Sequence, residues 1–118
     1  MNKAYVADIL KFFEENKIKY QYHSWMTIPA EHVFATYFVP SERFDGHDLY
    51  AEYCDYTLEI YFYFKGHKSN SDFVTENMFE ESVRAAGRFT KNCGYDSAHD
   101  YFYTNYTFEF KEWFPNGT

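Results

Sequence analysis

Tyr56 to Lys65 reads YTLEIYFYFK. Alternate positions place Tyr56, Leu58, Ile60, Phe62 and Phe64 on one side and Thr57, Glu59, Tyr61 and Tyr63 on the other, the period-two pattern of a strand. A half-buried strand needs one apolar face and one wet face. Here the wet face carries two tyrosines, so what covers it becomes the question on which both fold and function turn. A second stretch, YFYTNYTFEF from Tyr101 to Phe110, repeats the pattern. Phe102, Thr104, Tyr106, Phe108 and Phe110 face one way, and Tyr101, Tyr103, Asn105, Thr107 and Glu109 the other. Matching composition places the two strands in one sheet, with their Phe-rich sides together.

Around these strands the pattern changes period. Lys3 to Asn16 sets Val6, Ile9, Leu10 and Phe13 at helical spacing. Ile18 to His23 alternates as a strand, and Val33 to Val39 is another, closed by Pro40, which has no ladder donor. Pro40 to Gly46 holds turn residues and returns the chain. Leu49 to Lys65 is long enough that a bulge or bend is expected near Glu52 to Asp55. After the polar loop from Lys65 to Asp72, with Ser71 or Asp72 as the cap, a second helix is expected to about Ala86. Its apolar stripe reads Val74, Met78, Phe79, Val83 and Ala86, and Gly87 suits the position after its end. Arg88 to Asn92 reads as a short strand. The expected architecture is α+β: a single mostly antiparallel sheet of four to five strands with two helices packed on one face, in the order α-β-β-β-α-β-β. Residues 1–118 read as one domain, with the core in about 3–110 and a C-terminal tail at 111–118.

Thirteen tyrosines and fourteen phenylalanines in 118 residues favour pleated surfaces and interfaces. A formal charge of −7 disfavours nucleic acid or an anionic membrane as partner. Between Ser41 and Glu59, six acids (Glu42, Asp45, Asp48, Glu52, Asp55, Glu59) stand against one base, Arg43. This is either a solvated acidic edge or a docking surface for a basic partner. Cys54 and Cys93 form no disulfide framework, and no apolar run reaches membrane-spanning length or resembles a signal peptide, so a soluble protein made in a cytoplasm is expected.

No catalytic, cofactor or metal motif stands out. The five histidines (His23, His32, His47, His67, His99) lack metal-ligand spacing, and Asp45 to Asp48 (DGHD) lacks the alternating acids of a calcium loop. Cys93 and His99 could be imagined as a nucleophile pair, but nothing in the sequence orients them, and a buried or inert thiol is the plainer reading. The sequons at Asn105 and Asn116 read as chance matches. What remains is the tyrosine face. Tyr61, Tyr63, Tyr101 and Tyr103 either pair across strands on an open sheet or pack on another subunit.

The layout of an N-terminal helix ending FFEENKIKYQYH, a Val-Phe strand with Pro40 beyond it, acidic FDGHDLYAEY leading into YTLEIYFYF, a helix ending at Gly87 and a final YFYTNYTFEF resembles small tail-completion proteins. These are the tail terminator or head-tail joining (minor capsid) proteins of long-tailed phages and prophages of Gram-positive bacteria. The resemblance covers about residues 3–110 and rests on order, length and strand character. It implies a non-enzymatic structural protein without cofactor. Such a protein is made in the bacterial cytoplasm and assembles as a ring, often a hexamer, that caps the tail tube in the virion and joins it to the head connector. On that reading Tyr61, Tyr63, Tyr101 and Tyr103 are candidates for intersubunit contact, and Glu42, Asp45, Asp48 and Glu52 for docking. An acidic inhibitor or immunity-type protein that binds a basic partner is the alternative; a small enzyme or binding domain with a Tyr- and His-lined pocket is a weaker third.

Overall fold

The computed structural model describes residues 3–45 and 51–115. The chain runs α1 (Ala4–Glu15), β1 (Lys19–Tyr22), β2 (Val33–Asp45), β3 (Ala51–Lys65), α2 (Asn70–Val83), a 3₁₀ turn (Arg84–Ala86), β4 (Phe89–Asp96) and β5 (Tyr101–Pro115). The strands form one sheet in the order β1-β2-β3-β5-β4. Among the described residues only the β1–β2 pair is parallel. This is the α+β architecture expected from the sequence, with both helices on one face.

The alternation in the two quoted stretches decides which face that is. Leu58, Ile60, Phe62 and Phe64 of β3 and Tyr106, Phe108 and Phe110 of β5 are buried under the helices. Ile9, Phe12 and Phe13 of α1 and Phe79 and Val83 of α2 complete the core. Phe12, Phe13, Phe62 and Phe79 pack at edge-to-face and stacked geometries with centroids 5.0–6.5 Å apart, which adds about 0.5–1.5 kcal/mol per pair to their area burial.

Three expectations about the strands are corrected. First, β3 has no bulge at Glu52 to Asp55: its register with β5 is unbroken from Ala51 opposite Pro115 to Lys65 opposite Tyr101. Fifteen residues at about 3.3 Å each give nearly 50 Å, close to the longest molecular extent of 52 Å. Second, Pro40 does not close β2. The strand continues to Asp45, and the register shifts between Phe38 and Ser41, so the irregularity absorbs the missing proline donor. Third, β5 continues past Phe110 to Pro115, so residues 111–115 belong to the sheet rather than to a tail. Glu112 is buried there, and its carboxylate accepts the backbone N–H groups of Ala4 and Tyr5 at 3.2 and 3.0 Å. A carboxylate from the last strand thus caps the first helix, where the helix dipole favours a negative charge. The Tyr56 hydroxyl donates to the same carboxylate, and burial, reinforced by that bond, pushes its pKa up.

The second helix is rotated relative to its apolar stripe. Val74 and Met78 are 56% and 49% exposed, whereas Asp72 and Glu76 are buried at 4% and 1%. Asp72, Glu76, Phe79 and Val83 therefore form the inner face. The reason lies on other elements: the sheet side offers Lys68, Lys91, Thr104 and His32 as partners for the two acids. The helix ends in the 3₁₀ turn, and Gly87 follows at φ 147°, a conformation that favours glycine. No helix among the described residues is long and apolar enough to cross a membrane.

Candidate interaction faces

The face opposite the helices is built row by row across the sheet. Phe34, Tyr63, Tyr103 and Gly94 lie side by side, then Thr36, Tyr61, Asn105 and Asn92, then Phe38, Glu59, Thr107 and Thr90. Farther along come Ser41, Thr57 and Glu109, and then Arg43, Asp55 and Lys111. The four tyrosines singled out in the sequence are thus brought together. Tyr61 and Tyr63 stack at 6.1 Å, Tyr61 meets Tyr103 at 6.3 Å, and Tyr63 meets Tyr101 at 5.9 Å. Burial raises the hydroxyl pKa of Tyr61, Tyr63 and Tyr101 above the usual value.

Part of the cover on this face comes from the chain itself, which the sequence reading did not anticipate. Because β1 and β2 are parallel, the chain must travel back along the sheet between them. The helices occupy one face, and the returning segment crosses the other. Trp25 sits edge-on to Phe34 and donates its indole N–H to the Ala35 carbonyl at 3.2 Å. The Lys65 ammonium donates to the Pro29 carbonyl. At the end of the face, His99 stacks on Tyr101 and bonds Asp96 at 2.9 Å. Between these two covers lies a cleft of about 280 Å³ lined by Trp25, Phe34, Tyr63, Asp96, His99 and Tyr101. The tyrosine patch is therefore partly buried and flanked, not an open greasy plane.

The acidic segment is less naked than its composition implies. Glu42 pairs with Lys3, and Asp55 lies 3.8 Å from Lys111. Asp48 lies outside the described residues. Asp45 and Glu52 hold register positions opposite Tyr53 and Phe114, but their side chains are likewise outside the description. Phe44, in the row of Cys54 and Glu112 on the helix side, and Trp113, beside Tyr53 on the opposite side, are 44% and 50% exposed.

A separate exposed surface lies on α2, where Phe73, Val74 and Met78 point outward. Beneath it is a buried polar cluster that the stripe reading missed. Glu76 lies 2.9 Å from the Lys68 ammonium and 3.5 Å from that of Lys91, and the Thr104 hydroxyl donates to it. Glu80 accepts from Lys91 at 2.9 Å and from the Tyr106 hydroxyl at 2.8 Å. Cys93 lies on this side, 3.7 Å from the Thr104 oxygen, while His99 stacks on the opposite face, so the two form no nucleophile pair. Asn105 is 6% exposed and its amide donates to the Ile60 carbonyl at 3.3 Å, which leaves its sequon without an accessible acceptor.

At the end of the sheet, residues far apart in sequence converge. His32 precedes β2, His67 lies in the β3–α2 connection, and Asp72 is in the first turn of α2; one nitrogen or oxygen donor from each lies within 4.8 Å of the others. The histidine spacing along the chain gave no sign of this, because His32 meets His67 and Asp72 only once the sheet is assembled.

No family model matches the chain. A comparison with curated proteins likewise finds no match.

Proposed function

We propose that this chain is a non-enzymatic structural protein of a phage or prophage tail, which completes the tail tube and joins it to the head as a ring of identical subunits. One observation carries the reading: exposed apolar side chains lie on more than one surface, among them the outer face of α2 (Phe73, Val74, Met78) and, at the projecting end of the sheet, Trp113 on the face opposite the helices. Two distinct surfaces that contact each other head to tail generate a closed ring when the rotation closes, whereas a single self-complementary patch generates a two-fold dimer. The layout that resembles tail-completion proteins supplies the identity of the ring, and the tyrosine face and partly neutralised acidic segment supply further contact area.

The test is to mix the purified full-length chain with tail tubes that lack it and view the product by electron microscopy. Density capping one end of each tube supports the proposal, as does loss of that density with Met78→Glu. Bare tubes with the unaltered protein in excess would remove it.

A further inference from the structure

We propose that His32, His67 and Asp72 bind one divalent transition-metal ion of the zinc type. The proposal concerns a site apart from the assembly surfaces and does not depend on them. His32 Nδ1 lies 3.0 Å from the Lys65 carbonyl oxygen and Nε2 lies 2.8 Å from Asp72 Oδ2. Both ring nitrogens thus face acceptors, while a neutral imidazole has a single N–H. Either the ring is the cation, or its Nε2 shares a cation with Asp72.

Three further features favour the shared cation. The His67 ring lies parallel to that of His32 with centroids 4.3 Å apart and planes 18° apart. Two rings so placed can turn their nitrogens toward a common ion. Asp72 Oδ2 lies against His32 Nε2 and accepts the Ser69 N–H at 2.9 Å and the Ser69 hydroxyl at 3.2 Å, the Ser69 N–H bond belonging to the capping box of α2. Among the described residues its other oxygen takes none. The Nδ1–H of His32 bonded to a backbone carbonyl is also the arrangement that orients a ligating histidine from behind.

The donor set selects the metal. Two imidazoles and one carboxylate suit zinc-like ions better than magnesium or calcium, which prefer oxygen. Metal–ligand bonds of about 2.0–2.2 Å place tetrahedral donors roughly 3.3 Å apart. The 2.8 Å between His32 Nε2 and Asp72 Oδ2 has to open slightly and the other separations, all within 4.8 Å, have to draw in, a change that the exposed His67 side chain on its loop is free to supply. Three protein ligands leave a fourth position for water or for a group from another molecule.

Zinc chloride titrated calorimetrically into the chelator-treated, full-length chain tests the assignment, with thermal unfolding followed in parallel. One equivalent is expected to bind, the unfolding midpoint to rise as binding favours the native state, and cobalt(II) to give the intense visible absorption of a four-coordinate site. His67→Ala, at an exposed side chain, is expected to leave the metal-free midpoint unchanged and weaken binding at least about tenfold. Asp72→Asn, which still offers Ser69 an acceptor, should weaken binding similarly, whereas His99→Ala should not. Absence of stoichiometric binding, or unchanged affinity in His67→Ala, would overturn the proposal.

Discussion

Gly94 on β4 stands directly opposite Tyr103 on β5, and the tyrosine ring fills the space that a side chain at Gly94 would need. A Cβ there would lie 2.9 Å from Tyr103 Cε1 and 2.5 Å from Cζ. The tyrosine face extends over the edge strand only because that position is glycine. Gly94→Ala is therefore expected to push Tyr103 off the sheet and cost about 1–3 kcal/mol, the usual penalty of overpacking. In denaturant unfolding, the loss should shrink in the Gly94→Ala, Tyr103→Ala double variant relative to the sum of the singles. Strict additivity would mean that the two residues do not share this space.

Glu76 is a charged residue buried in the interior. At 1% exposure it lies between Lys68 and Lys91. Glu76→Ala leaves both ammonium groups facing a site built for a carboxylate, and a loss of about 3–5 kcal/mol is expected, as for removal of one partner from a buried pair. Replacing Glu76 and Lys68 together with Met should recover much of that loss, since apolar packing can substitute for such a pair. Equilibrium denaturation of the three variants checks both statements.

Glu80 gives the acid limb of stability a defined contributor. Burial works to raise its pKa, but hydrogen bonds from Lys91 and Tyr106 and the charges of Lys91 and Lys68 outweigh that and hold it below the usual glutamate value. A carboxyl with a depressed native pKa stabilises the fold above its unfolded pKa, near 4.3, and loses that contribution as pH falls through the lower native value. Thermal midpoints measured from neutral to strongly acidic pH should fall less steeply for Glu80→Gln than for the unaltered chain. Parallel curves would contradict the assignment.

The outward apolar residues of α2 should matter to assembly and not to folding. Val74→Glu and Met78→Glu alter exposed positions, so unfolding free energies are expected to stay within about 0.5 kcal/mol. Capping of tail tubes should be lost. A variant that destabilises the isolated chain by several times that amount would show that the surface is structural instead.

The sheet was legible because β3 and β5 keep strict alternation through ten residues each, with Phe, Leu and Ile always on the same side. The rotation of α2 was not, because a stripe reading assumes that Val74 and Met78 go inward and Asp72 and Glu76 outward. The partners that reverse this assumption, Lys68, Lys91, Thr104 and His32, lie on four other segments, and nothing local announces that they will converge. Glu112 escaped notice for the same reason: a helix cap drawn from 107 or 108 residues away has no sequence spacing to betray it. Pro40 misled by a rule that holds for regular ladders, since the register shift beside it lets β2 continue. The cover over Phe34 followed from parallel pairing of β1, which alternation cannot distinguish from antiparallel. The tyrosine face itself was correctly located, because Tyr61, Tyr63, Tyr101 and Tyr103 share the parity of their strands.

Completing a phage tail and joining it to the head is the role proposed for the chain. Electron microscopy of particles produced from a phage or prophage deleted for this gene tests it most directly. Filled heads and separate tails, or tails of uncontrolled length, are expected, with joining restored when the protein is supplied in trans. Normal, joined particles in the deletion strain would contradict it.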